Sequence, residues 1–419
     1  MNLEDINSYW YLIVASVVII ISYFFNLVSK KWSIPSVLLL IALGVIIRYI
    51  TGINSINGDS NILKILGVVG IIMIVLEASL DLKLERKKIG LISKSFFIAL
   101  IALSFSAFLI ALVIHTILSV DLFIALVYAI PLAIMSSAII IPSVSHLPEN
   151  KMEFLIYEST FSDILGIMFF YFLLGSVDYP SVNEMSIGIL LNILITIVVS
   201  IVFSYGLIFL FQKIKGEVKL FLLISVLVLL YSVGKMMHLS SLIIILFFGL
   251  ILNNRDIFIR GKMSKYLDQE ELTLVFKNFK LITEETSFIV RTFFFVIFGL
   301  TISLSILFRL DVFFISILIL GILYGIRWLI LRIFLGKNIC PELFIAPRGL
   351  ITVLLFFAIP SDYLIKDFQS GILLFVIISS SIIMAWALIR YKKKLENMDD
   401  DNKGEESDKL SIDEQSVEL

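Results

Sequence analysis

The feature that most constrains this chain is a series of long apolar runs separated by short polar breaks. The core of a bilayer, about 30 Å thick, is crossed by roughly 20 apolar residues in a helix, and thirteen such runs follow one another along the 419 residues. Charged residues make up only 16% of the chain, against about 25% in soluble domains. We therefore predict an all-α polytopic membrane protein and exclude a secreted module, a nucleic-acid binder and a disordered scaffold.

Two stretches are too polar to cross a bilayer. Residues 254–281 are predicted to form an amphipathic cytoplasmic connector. Residues 396–419 are charged and lack aromatic side chains, which is typical of a disordered tail, here an acidic cytoplasmic one. The remainder, residues 1–395, is the predicted transmembrane domain. Its spans are 8–29, 33–50, 61–81, 90–118, 121–147, 150–178, 184–212, 218–236, 238–253, 282–306, 309–334, 340–360 and 366–392.

Lysine and arginine residues are concentrated in alternate loops, and the intervening loops are nearly free of them. The positive-inside rule places the basic loops in the cytoplasm. The N-terminus is then outside and the C-terminus inside, which requires an odd number of spans and agrees with thirteen. We predict a multi-pass protein of the cell membrane, embedded in the lipid bilayer. The basic loops contain Lys30, Lys31, Lys83, Arg86, Lys87, Lys88, Lys213, Lys215, Lys219, Arg255, Arg260, Lys262, Lys265, Arg332 and Lys337.

The prolines single out two of the spans. Five of the eight prolines lie in the fifth and twelfth spans, and proline removes a helix hydrogen bond and clashes with the preceding turn. Interrupted helices at corresponding positions of two halves are typical of the substrate site of a secondary transporter. We predict inverted repeats formed by spans one to six and eight to thirteen; simple proline kinks are the alternative. The five residues are Pro131, Pro142, Pro341, Pro347 and Pro360.

The sixth span contains two carboxylates in an otherwise apolar run, Glu158 and Asp163. Charge inside a membrane is costly, so such residues are functional-site candidates. At about 100° per residue, both carboxylates share a polar stripe with Ser159, Ser162 and Gly166. At about 1.5 Å per residue from the cytoplasmic end, Asp163 lies about 16–20 Å deep, near the midplane, and Glu158 about 9–12 Å deep.

The depth of Asp163 places it beside the break in the fifth span. Ser136 and Ser137 lie about 15–17 Å from the cytoplasmic end of that span, which is the level of Asp163. Without a fixed cationic partner, this carboxylate would exchange a proton or a cation, with hydroxyl oxygens as further ligands, because oxygen suits hard cations. The alternative is a static bridge from Asp163 to Arg291 or Arg327.

The remaining polar residues do not indicate enzyme chemistry. Arg348, about 12 Å deep in the twelfth span, needs a counter-ion, and we predict that Glu158 supplies it. The single Cys340 and the three histidines argue against a disulfide framework and against a Cys- or His-based metal site. The sequence contains no recognisable Ser/His/Asp constellation, phosphate loop or HExxH motif, so we predict neither an enzyme nor a cofactor.

Two motifs give the chain a resemblance to a known family. Residues 158–163, Glu-Ser-Thr-Phe-Ser-Asp, resemble the sixth-helix signature Glu-Ser-x-x-Asn-Asp of the cation:proton antiporter superfamily, in its sodium/proton exchanger branch with NhaP-like prokaryotic members. Residues 346–349, Ala-Pro-Arg-Gly, resemble its twelfth-helix signature Gly-Pro-Arg-Gly. The resemblance covers residues 8–392. The fifth helix differs, because residues 135–138, Met-Ser-Ser-Ala, replace Thr-Asp-Pro and are closer to the Ser-Ser-Thr of the potassium-efflux-like branch.

The resemblance implies a transporter that exchanges a monovalent cation, Na⁺ or alternatively K⁺ or Li⁺, for H⁺ by alternating access, in pH and cation homeostasis. Asp163 would take the cation and the proton alternately, and Glu158 would pair with Arg348. Ser162 replaces the Asn that helps to hold the aspartate in the family, and it has a shorter reach. Because one free carboxylate binds one cation or one proton, we predict electroneutral exchange. The predicted cation site comprises Asp163, Glu158, Ser159, Ser162, Ser136 and Ser137.

Within the transmembrane domain we predict a scaffold, residues 8–81 and 184–253, and a moving core, residues 90–178 and 282–392. The scaffold is expected to form a homodimer, and the expected partners are monovalent cations and protons, with no nucleic acid. Two other classes stay open. The missing fifth-helix aspartate favours a cation channel or a proton-independent K⁺ or Na⁺ transporter, and the acidic tail favours a non-transporting membrane regulator.

Overall fold

A computed structural model describes the protein at residues 3–32, 36–51, 61–145, 147–175, 182–213, 219–236, 241–258, 269–301, 309–365, 368 and 370–417. All regular structure in these residues is helical, which confirms the all-α prediction. Six segments are long and apolar enough to cross a membrane, and four shorter helices are also apolar. The α-helices are α1 Leu3–Trp32, α2 Ser36–Thr51, α3 Asn61–Asp81, α4 Ile89–Leu118, α5 Leu122–Ala133, α6 Ser137–Ser143, α7 Glu149–Gly175, α8 Val182–Lys213, α9 Lys219–Met236, α10 Ser241–Asn253, α11 Arg255–Phe258, α12 Gln269–Thr301, α13 Leu310–Leu335, α14 Leu350–Phe357 and α15 Ser370–Val417.

Each of the thirteen predicted spans coincides with one of these helices or, for the fifth and twelfth spans, with an interrupted one. The predicted connector is partly helical, because α11 lies inside it and α12 already begins at Gln269. Residues 259–268 of the connector and residues 302–306 of the tenth span lie outside the described residues.

The helices pack in two groups. In one group α4 packs against α5, α7 and α13, α14 against α5 and α7, and α15 against α13. In the other, α10 packs against α3, α8 and α9, and α12 against α2 and α3. Contact between the groups is thinner and joins α3 to α7 and α14, α10 to α7, and α1 to α6. We call the first group the core and the second the scaffold.

Helix α12, the tenth span, lies in the scaffold and not in the core to which the sequence assigned it. Its closest crossing is with α2, where a methyl group added at Gly44 would collide with the α12 backbone at Gly299. Polar contacts join α12 to α3: Arg291 Nη2 lies 3.1 Å from Glu77 Oε1, and Ser287 Oγ donates to the Met73 carbonyl at 3.1 Å. Small residues and polar links of this kind are what hold membrane helices together.

The two proline-rich spans are broken, as predicted. Helix α5 ends at Ala133, and α6 begins at Ser137 after a non-helical stretch. In the twelfth span a 3₁₀ helix, Glu342–Phe344, precedes residues 345–349 without helical structure, and α14 follows. The two breaks touch, because the Ser136 N–H donates to the Pro347 carbonyl at 2.9 Å. Each break therefore satisfies part of the other's freed backbone, as the absence of water in a bilayer requires.

The acidic tail differs from the prediction of disorder. Residues 396–417 continue α15 as a helix, while residues 418–419 lie outside the described part of the chain. The tail contains no proline and a single glycine, Gly404, and Glu, Lys, Leu and Gln are good helix formers. No proline therefore interrupts α15 within residues 396–417.

Candidate functional site

Helix α7 carries both of the predicted carboxylates into the core. Glu158 and Asp163 are each only 1% exposed, and α7 is packed against α4, α5, α6 and α14 around them. A buried carboxylate is stable only with hydrogen bonds, a cationic partner or a proton. The surroundings of the two residues therefore decide what each of them does.

Asp163 lies at the break in the fifth span. Its Oδ2 accepts the N–H of Ser137, the first residue of α6, at 2.9 Å. The free N–H groups at the start of a helix attract negative charge, which explains why the carboxylate faces this end. Its Oδ1 is buried and has no hydrogen-bond partner.

Neither of the arginines considered as static partners reaches Asp163. Arg291 pairs with Glu77, and Arg327 pairs with Glu158. Within the described residues no ion pair of Asp163 is present. The alternative of a fixed bridge to either arginine is therefore wrong, and one carboxylate oxygen remains available for a proton or a ligand.

Glu158 is held by Arg327 of α13. Arg327 Nη1 donates to Oε1 at 2.6 Å and Nη2 to Oε2 at 3.0 Å, which is the bidentate geometry of a strong guanidinium–carboxylate pair. The predicted pair between Glu158 and Arg348 is therefore wrong. Helix α13 presents its arginine at the level of Glu158, and both carboxylate oxygens are already engaged.

Arg348 binds main-chain carbonyls instead of a carboxylate. Its Nε donates to the Leu132 carbonyl at 3.1 Å, its Nη2 to the Ala133 carbonyl at 3.3 Å, and its Nη1 to the Ala346 carbonyl. The first two carbonyls end α5, where a helix has unpaired acceptors and a partial negative charge. The broken fifth span thus has a guanidinium at the end of its first half and a carboxylate at the start of its second.

The predicted serines separate into two sets. Ser162 Oγ accepts the Met135 N–H at 2.9 Å, and Ser136 Oγ is buried without a partner. With Ser137, these residues gather around the break near Asp163. Ser159 does not join them, because its hydroxyl donates at 3.2 Å to the Ile156 carbonyl of its own helix, the usual back-bonding of serine within a helix.

A small cavity of about 20 Å³ adjoins the charged residues of the core. It lies between α4, α5, α7, α13 and the break in the twelfth span, and it has room for one water molecule, which needs about 10–15 Å³. A water there would hydrate the arginines and Glu158. The polar lining residues are Ser106, Glu158, Ser162, Arg327 and Arg348.

Sequence reasoning missed a third buried carboxylate of the core, Glu342. This residue is 4% exposed, and its Oε1 lies 2.5 Å from the Nζ of Lys151 in the first turn of α7. Its position at the start of the span at 340–360, which prolines interrupt, could have identified it from the sequence. Lys151 gave no such signal, because a lysine at a helix start near the membrane surface is ordinary.

Comparisons with known proteins agree with this architecture. A family model described as sodium/hydrogen exchanger, transmembrane, matches residues 13–390. The structure of the sodium proton antiporter MjNhaP1 from Methanocaldococcus jannaschii at pH 8 matches with 19% identity and a TM-score of 0.63, covering 90% of this chain and 95% of that chain. The EM map of the same antiporter matches with 19% identity and a TM-score of 0.62, covering 95% and 97%. At this identity the likeness shows the fold alone, and no curated protein matches.

Proposed function

This chain belongs to the sodium/hydrogen exchanger family, and from that premise we propose that it exchanges one Na⁺ for one H⁺ across the cell membrane by alternating access. Members of the family are transporters and not enzymes. K⁺ and Li⁺ are the alternative cations. The observation that carries the proposal is the state of Asp163: it is buried, its Oδ2 accepts the Ser137 N–H, and its Oδ1 has no partner.

The proposed cation ligands are oxygens at the break in the fifth span. Asp163 Oδ1 and Ser136 Oγ are buried and unpartnered. Ser137 follows Ser136 in the chain, and its N–H donates to Asp163. Oxygen ligands suit a hard monovalent cation. Ser162 supports the site by accepting the Met135 N–H. We no longer include Glu158 or Ser159 as ligands, because their oxygens are engaged elsewhere.

The charges of the core support electroneutral exchange. The other two buried carboxylates of the described residues, Glu158 and Glu342, each have a cationic partner. Asp163 is therefore the residue whose charge can change during a cycle. It takes up either one cation or one proton. The core therefore has the same net charge when it carries the cation in one direction and the proton in the other.

Movement of the core against the scaffold would provide alternating access. Contact between the two groups is limited to a few helix pairs, and a hydrogen bond of 2.9 Å from the Tyr157 hydroxyl to the Lys83 carbonyl joins α7 to the segment after α3. We propose that the scaffold, with α12 added to it, forms the homodimer. The N-terminus is proposed to be outside and the C-terminus in the cytoplasm.

The test is a pH-dequenching assay in inverted vesicles, with Na⁺, K⁺ and Li⁺ added in turn and the Asp163→Asn variant as the control. Cation-driven proton movement that the variant lacks supports the proposal. Cation flux without proton movement would instead indicate the channel or uniporter class that the missing fifth-helix aspartate suggested. A steady-state cation gradient that follows a valinomycin-clamped potential would contradict one-for-one exchange.

A further inference from the structure

We propose that the Lys151–Glu342 ion pair is a positioning pair that sets the cation affinity of the site without touching the cation. The inference rests on the proposed function, since it concerns the affinity of the same site. The effect would not depend on which oxygens bind the cation. It depends on how α7 is fixed to the start of the broken twelfth span.

The pair closes a turn at the start of that span. Lys151 Nζ lies 2.5 Å from Glu342 Oε1 and donates to the Cys340 carbonyl at 3.1 Å. One ammonium group therefore binds both ends of a three-residue turn. Glu342 Oε2 is buried without a partner, so Lys151 is the side chain that compensates this carboxylate.

The backbone of the same segment orients the arginine that holds Glu158. The Glu342 carbonyl accepts from Arg327 Nε at 3.1 Å and from Nη2 at 2.8 Å, and the Ile345 carbonyl accepts from Nη2 at 3.3 Å. The outer edge of the guanidinium then binds Glu158. The orientation of Arg327 thus depends on the position of residues 342–345.

Both ends of this chain of contacts lie on α7. Lys151 and Glu158 are seven residues apart, which is two helical turns, about 10 Å, on one face. The segment at 340–345 is therefore attached to α7 at two levels, directly through Lys151 and through Arg327. Asp163 follows Glu158 on the same rigid helix, so these attachments fix its height relative to the two breaks.

A shift of α7 would act directly on the cation site. Asp163 Oδ2 accepts the Ser137 N–H at 2.9 Å, and the Ser136 N–H donates to the Pro347 carbonyl of the twelfth span. If the Lys151–Glu342 pair is lost, the segment at 340–345 that binds the guanidinium of Arg327 loosens, and the Asp163 carboxylate moves relative to the serines. Affinity changes first, because the protein can still cycle once a cation is bound.

The experiment measures Na⁺-driven proton exchange in proteoliposomes for Lys151→Gln, Glu342→Gln, Lys151→Arg and the charge exchange Lys151→Glu with Glu342→Lys. The control is Glu85→Gln, which removes the pairs of Glu85 with Lys83 and Lys88 near the surface and leaves the Lys151–Glu342 pair in place. We expect the Na⁺ concentration for half-maximal rate to rise about fivefold or more in the two Gln variants, the lower range of coupling between distinct sites. The maximal rate should stay within about twofold, and Lys151→Arg and the charge exchange should restore affinity.

One result would overturn the inference and leave the proposed function intact. In folded Gln variants, a wild-type half-maximal concentration with a reduced maximal rate would show a purely structural role. If Lys151→Gln does not fold, Glu342→Gln decides, because it removes the buried charge together with the pair. Absence of Na⁺-driven proton movement in the wild-type protein would overturn the proposed function itself, and is thereby distinguished from failure of the positioning role alone.

Discussion

Two carboxylates on the same helix, five residues apart, have opposite surroundings. Glu158 has both oxygens bound by Arg327, whereas Asp163 accepts one N–H and has one oxygen without a partner. Both are equally buried. Burial alone therefore does not distinguish a carboxylate in a structural ion pair from one that could exchange its ligand. The presence or absence of a cationic partner distinguishes them.

The difference has a thermodynamic basis. Taking charge out of water is costly, and a buried ion pair offsets that cost only while both partners are present. The Glu158 carboxylate is compensated by the guanidinium of Arg327. Asp163 has no cationic partner among the described residues, and we propose that a proton and a cation satisfy its free oxygen in turn.

The largest expected effect comes from removing the exchangeable carboxylate. Asp163→Asn should abolish exchange and leave the protein folded, because the amide keeps the shape of the side chain but takes up no proton. Exchange in proteoliposomes and monodispersity in detergent check both parts. Appreciable remaining exchange would remove Asp163 from the mechanism.

Breaking the structural pair should act on stability. Glu158→Gln and Arg327→Met should each lower the free energy of unfolding by about 3–5 kcal/mol, because each leaves a buried charge unpaired. Thermal unfolding in detergent measures the loss. The double variant should lose clearly less than the sum.

The matched control for this pair is Arg348. A double-variant cycle of Glu158→Gln with Arg348→Met should show a much smaller coupling than the cycle with Arg327, since Arg348 binds carbonyls. Equal coupling in both cycles would contradict the assignment of the pair to Arg327.

A smaller effect is expected at Ser162, which supports the break and not the charge. Ser162→Ala leaves the buried Met135 N–H without its acceptor, at a cost of about 2 kcal/mol. Ser162→Asn, which restores an acceptor, should recover part of this loss. Unfolding temperatures of the two variants give the comparison, and no loss in Ser162→Ala would show that the bond is not needed.

The smallest effect is expected in the scaffold. Glu77 and Arg291 form an ion pair of 3.1 Å whose side chains are less deeply buried than those of Glu158 and Arg327, so breaking it should cost less. Glu77→Gln should therefore lower stability slightly and leave the Na⁺ concentration for half-maximal exchange unchanged. A large change in cation affinity would place this pair in the transport site.

The helices and breaks were predictable because their causes are local. Apolar length marks a span, and the prolines at 131, 142, 341 and 347 mark the interruptions. The partner of Glu158 was not predictable in this way. Arg327 and Arg348 lie at similar depths, about 10–13 Å by residue count, and depth says nothing about the direction in which each side chain points. Helix packing sets that direction.

Two further predictions differ from the structure for different reasons. Helix α12 joined the scaffold because of its close crossing at Gly44 and Gly299, a contact between residues far apart in the sequence. The helical tail differs for another reason, because its charged composition indicated disorder, whereas α15 continues through residues 396–417 without an interrupting proline. Composition describes the solvent preference of a segment better than its backbone conformation.

The most direct test of the competition between cation and proton at Asp163 is calorimetry of Na⁺ binding to the purified protein in buffers of different ionisation enthalpy. Because the cation requires the carboxylate form, we predict release of about one proton per Na⁺ bound at acidic pH, an apparent affinity that falls about tenfold per pH unit there, and neither binding nor release in Asp163→Asn. Na⁺ binding without proton release, or with an affinity that is the same at every pH, would contradict the shared site.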